Sequence, residues 1–119
     1  MAENKTKNTA IELPNGVTED MVKAWKERYG DKKIKLATLS NEYDSFEPFD
    51  VVVRVPGRVE RSEFEKWVDR NPDKAKEVLV KSCLLSHKDE VLANEDMFLS
   101  AFDSIAGLLP VAKAVIKNL

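Results

Sequence analysis

In "VVVRVPGRVERSEFEKWV", Val51 to Val68, a strand pattern gives way to a helix pattern within eighteen residues. A β-branched run stops at Pro56-Gly57, and an amphipathic helical pattern begins within a few residues. As a strand, it puts Val51, Val53 and Val55 on one face and Asp50, Val52 and Arg54 on the other. Pro56 has no backbone donor, so the strand must end there or lie on a sheet edge. Ser62 and Glu65 then have the spacing of a capping box. Phe64, Trp67 and Val68 recur at helical period and mark an inward stripe. A strand feeding directly into a helix makes the chain α+β.

Upstream, "TEDMVKAWKERYG" reads as a helix capped by Thr18 and closed by Gly30, with Glu19 and Asp20 at the positive end of its dipole. Met21, Val22, Trp25 and Tyr29 form its apolar stripe. "KKIKLATLS" alternates, which predicts a strand with Ile34 and Leu36 inward and Lys33 and Lys35 in solvent. The connector "NEYDSFEPF" is long for a tight hairpin, yet an antiparallel pairing of the two strands is the natural topology. Downstream, Asn71-Pro72 opens a helix aligning Ala75, Val78, Leu79 and Cys83. A further helix over "DMFLSAFDSIAG" carries Met97, Phe98, Ala101, Phe102 and Ile105 inward, with Gly107 as its stop. Pro110 opens a last one, "PVAKAVIKNL". The expected architecture is an N-terminal helix, a small two-stranded antiparallel unit and a C-terminal cluster of three to four helices. Residues 1–13 read as an unstructured tail and 14–119 as one domain.

At 119 residues the chain suits a single core; 43% of it is apolar, 34% is charged, and the formal charge is -2. Acidic and basic residues are evenly spread, so neither half has the field of a nucleic-acid binder. Cys83 is the only cysteine, which excludes an intrachain disulfide and a cysteine-based metal site and fits a reducing compartment. "MAENKTKNTA" has no apolar signal core, and no segment has the roughly 18 apolar residues of a membrane span. A soluble cytoplasmic protein is expected.

Chemical motifs are sparse. His87 is the only histidine and follows Cys83 by four residues, the spacing of a base–thiol pair, but Cys83 lies on the apolar stripe of its helix. Asp89, Glu90, Glu95 and Asp96 gather in one inter-helix loop without the glycine that a calcium loop requires. No glycine-rich phosphate loop occurs. These patterns favour a binding module over an enzyme, with no cofactor expected. Arg54, Arg58 and Arg61 can offer donors to a partner's carboxylates or phosphates, or pair internally with Glu47, Asp50, Glu60 and Glu63. In "GLLPVAKAVIKNL", Leu108, Leu109, Val111, Val115, Ile116 and Leu119 occupy more than one helical face. That surplus points either to a partner or self-association surface or to a centrally buried helix.

The order of these features resembles the small tail assembly chaperones of tailed bacteriophages and prophages, particularly Bacteroidetes-type forms. The resemblance rests on "GVTEDMVKAWKERYGDKKIKLATL", on "VVVRVPGR" and on "AKEVLVKSCLLSHKDEVLANEDMFLSAF" with a short terminal helix. It spans roughly residues 17–119 and lies in order and spacing rather than in a chemical signature. "SNEYDSFEPF" is longer, and "VERSEFEKWVDRN" more charged, than the family's shorter pattern. The resemblance implies a non-enzymatic role in the host bacterial cytoplasm: binding the long helical tape-measure protein, keeping it soluble, and helping to recruit tail-tube subunits. Another phage interaction module, regulatory or host-directed, is the alternative on the same surfaces, and a small enzyme the third reading.

Overall fold

The computed structural model describes residues 12–109 and 114–119. The first helix, α1 (Glu19–Tyr29), starts where Thr18 Oγ1 accepts from the Met21 amide at 3.2 Å. It stops at Gly30, whose φ of 114° strongly favours glycine. One 3₁₀ turn (Asp31–Lys33) leads into strand β1 (Ile34–Leu39). β1 pairs antiparallel with β2 (Phe49–Arg54), in a register running from Ile34 opposite Arg54 to Leu39 opposite Phe49.

The long connector between the strands is fastened rather than free. Asn41 Oδ1 accepts from the amides of Tyr43 and Ser45, an Asx-type turn. Ser45 Oγ donates to Asp96 Oδ2 at 2.7 Å, tying the connector to the start of the last helix.

β2 continues through buried Pro56 into α2 (Arg58–Val68). This helix begins four residues before the predicted Ser62 cap, because Glu60 supplies the cap from inside. Its Oε1 accepts from the Gly57 amide at 2.8 Å. α3 (Pro72–Cys83) starts as expected, with Asn71 Oδ1 accepting from the Lys74 amide and Pro72 in the first turn. Leu84 to Ser86 then run antiparallel along the second edge of β2: Leu84 bridges Val53, and the Leu85 amide donates to Val52 O at 2.8 Å. The acidic stretch predicted as a loop holds a short helix, α4 (Lys88–Ala93), anchored by buried Val91. α5 (Glu95–Ala106) buries Met97, Ala101 and Ile105; Phe98 and Phe102 are half-buried.

The core lies between the sheet and α3–α5: Leu39, Val51 and Val53 meet Leu79, Val80, Cys83, Leu84, Val91, Met97, Ala101 and Ile105. Val51 and Val53 share one face, as the alternation predicted, and that face is the one turned to the core, but β1 corrects the sequence reading. Its core side carries Leu39 and Ala37, while Ile34 and Leu36 face α1 with Val52. Both faces of the sheet are therefore covered, and the Lys-Ile-Lys-Leu alternation marks the lesser face. α1 has no fully buried residue, and Leu36 beneath it remains 37% exposed.

The predicted last helix is also corrected. Residues 110–113 fall outside the described residues, but 114–119 have no helical structure and every one is exposed. With nothing packed against it, so short a segment cannot hold a helix, since isolated helices below about 12 residues are marginal. Among the described residues, no helix is long and apolar enough to cross a membrane.

Candidate functional site

The arginines of the strand-to-helix switch do not form one cluster. Arg54 points to the α1 side of β2, and its side chain is only 13% exposed. Its Nη1 donates to Glu60 Oε1 at 3.1 Å and its Nε to Ser82 O at 3.0 Å, in the carbonyl-rich last turn of α3. Its guanidinium carbon sits 4.5 Å from the Tyr29 ring centroid. One side chain thereby joins α1, β2, α2 and α3. Of the two alternatives open for Arg54, its donors satisfy the internal one. The hydrogen bond from Arg54 holds the Glu60 carboxyl below its ordinary value, outweighing the upward push of burial. Arg61 makes a looser contact with Glu65 at 3.8 Å, whereas Arg58 and neighbouring Val59 are exposed.

His87 and Cys83 do not pair. His87 takes a left-handed backbone (φ 57°) and sends Nε2 to Asn15 O at 2.7 Å and Nδ1 to Ser86 Oγ at 2.9 Å. Its ring meets Phe49 edge-on at 5.1 Å. Because a carbonyl can only accept, Nε2 carries a proton. The Ser86 hydroxyl can then donate to Nδ1 while accepting from the Val52 amide at 2.9 Å. His87 thus fastens the turn before α1 to β2 and to the α3–α4 link. Cys83 is buried, and burial pushes its thiol up to about 11, far from a reactive thiolate. The carboxylates around α4 are likewise dispersed: among the described residues, no group of three or more His, Cys, Asp or Glu side chains could hold a metal ion.

The C-terminal candidates separate into two sets. Leu108 and Leu109 are half-buried and pack against the core just after α5. Val115 and Ile116 are 86% and 92% exposed, and Leu119 is fully exposed. Val111 lies outside the described residues. Two features escaped sequence reading: Tyr29 as the seat for Arg54, and Ser86 as the link between His87 and β2. Both depend on contacts between distant segments, which no local spacing signals.

No family model and no curated protein sequence matches this chain. A solved structure of an uncharacterised protein from Bacillus stearothermophilus is similar, with 22% identity, 80% of this chain and 98% of that chain covered, and a TM-score of 0.47.

Proposed function

We propose that this chain is a non-enzymatic binding protein of the phage tail assembly chaperone type, which covers apolar surface on a tape-measure protein and keeps it soluble. The observation that carries the reading is the C-terminal segment. Val115, Ile116 and Leu119 stand in solvent beside a core that is complete without them. A long apolar-striped helix aggregates unless its stripe is covered, and several modest apolar contacts would cover it reversibly. The groups best suited to chemistry, Cys83 and His87, are engaged in packing and in hydrogen bonds within the chain. That agrees with a binding role. Tail-tube subunits are the further partner in this scheme, and self-association through the same segment is its simplest competitor.

The test is co-expression with a phage tape-measure protein, scored by solubility and co-purification. Val115→Asp with Leu119→Asp is expected to lose the partner while far-UV circular dichroism stays the same. Full capture of the partner by that variant would refute the assignment of the surface.

A further inference from the structure

The corner between α2 and α3 gathers three cations around one indole. The Lys74 Nζ lies 4.2 Å from the centroid of the Trp67 ring, the Arg70 guanidinium carbon 5.3 Å and the Lys66 Nζ 5.7 Å. All three cationic residues are exposed, whereas Trp67 is half-buried. Among the described residues, ion pairs join Lys26 to Asp31, Arg54 to Glu60, Arg61 to Glu65 and Lys81 to Glu77, and none includes Lys66, Arg70 or Lys74. Asp69 and Asp73 are close in sequence, yet neither neutralises them at ion-pair distance. Glu77 feels the Lys74 charge from beyond ion-pair distance. Three like charges gathered around one ring with no carboxylate in direct contact still repel one another, and a carboxylate arriving from outside relieves that repulsion.

We propose that this corner docks an acidic segment of a protein partner, with Lys66, Arg70 and Lys74 as its contacts and Trp67 as the platform that holds them. The proposal rests on the partner-binding reading but uses a different surface from the C-terminal segment. Cation–π contact restricts the three long side chains before binding, so less rotamer freedom is lost when carboxylates arrive. The Arg70 guanidinium adds a planar fork that matches a carboxylate in bidentate fashion. A nucleic-acid strand suits the corner poorly. Single strands bind by stacking bases on aromatic faces, and the cations crowd this ring.

The experiment titrates the full chain into three fluorescein-labelled probes: a Glu/Ala/Leu peptide, a Lys/Ala/Leu peptide of equal length, and oligodeoxythymidine. Anisotropy should show the acidic peptide binding most tightly and weakening as salt rises. Lys66→Gln/Arg70→Gln/Lys74→Gln should weaken it about tenfold, the loss expected for three exposed ion pairs. The single charge reversal Lys74→Glu, which disturbs the fold least, should weaken it in the same direction. Acidic-peptide binding that is absent, is no tighter than that of the lysine peptide, or is unchanged in both variants overturns the proposal. Tighter binding of oligodeoxythymidine that is lost in the triple variant also overturns it, making the corner a nucleic-acid surface. Val115→Asp with Leu119→Asp should leave peptide binding intact, so this inference and the tape-measure reading fail independently.

Discussion

Glu60 is the residue on which the strand-to-helix switch turns. One carboxylate oxygen caps α2 through the Gly57 amide and pairs with the half-buried Arg54. Glu60→Ala leaves both groups without that partner and should destabilise the chain by about 2–3 kcal/mol in urea unfolding. Glu60→Gln keeps an acceptor oxygen at the same place and should cost about half as much. The sign of the pH dependence follows from the lowered carboxyl. Its contribution is full above the ordinary value of 4.5 and is lost as pH falls through the lowered folded value. The stability gap between wild type and Glu60→Gln should therefore close under acid and persist at neutral pH. Cys83 offers a second check at this scale. With its thiol pushed up to about 11 by burial, it should react with Ellman's reagent at pH 8 roughly a hundredfold or more slower than a free cysteine. Denaturant should abolish that protection. A native thiol reacting at the free rate would restore Cys83 as a candidate nucleophile.

At the scale of elements, β1 shows what a pattern can and cannot say. Alternation in "KKIKLATLS" marks a strand, and the strand is there. The same alternation fits two opposite facings, because shifting the assignment by one residue exchanges the faces. Choosing the side with the larger apolar residues, Ile34 and Leu36, misses that this sheet is covered twice, by α1 and by the helical core. The decisive residue is Leu39, at the strand's end and fully buried. Leu39→Ala should thus cost about 2–5 kcal/mol, whereas Leu36→Ala, at a partly exposed site under α1, should cost about 1 kcal/mol or less. Comparable losses at the two positions would mean that both faces are packed equally. Helix starts carried by a side chain three residues from its amide, Thr18 and Asn71, were legible because their chemistry is local. The start of α2 was not, since Glu60 and the serine-led box at Ser62 compete for the same pattern and only the half-buried Arg54 settles which wins. Short α4 was hidden by its charge: one buried side chain, Val91, sets its inward face, too little for periodicity to register.

For the whole molecule, the question is whether the C-terminal segment belongs to the fold or to the partner. An inserted last helix would have made Val115, Ile116 and Leu119 part of the core. Instead, among the described residues, the core closes over α5 with Leu108 and Leu109 as its last apolar contributors, and residues 114–119 stand in solvent. Stability arises from apolar area removed from water, and these side chains remove almost none in the isolated chain. Deleting residues 114–119 should therefore leave the thermal midpoint within about 2 °C of the intact protein, below the shift that 1 kcal/mol produces in a domain of this size. On the proposed function, partner capture would depend on the same side chains in the opposite way, because their exposed area is what binding would bury. The truncated chain should fold, remain soluble alone and fail to hold the tape-measure protein in solution on co-expression. A large fall in thermal midpoint would show the segment to be a structural element packed against the fold. An unchanged midpoint with undiminished capture would move the binding surface elsewhere, and the basic corner at Trp67 would then be the surface to test first.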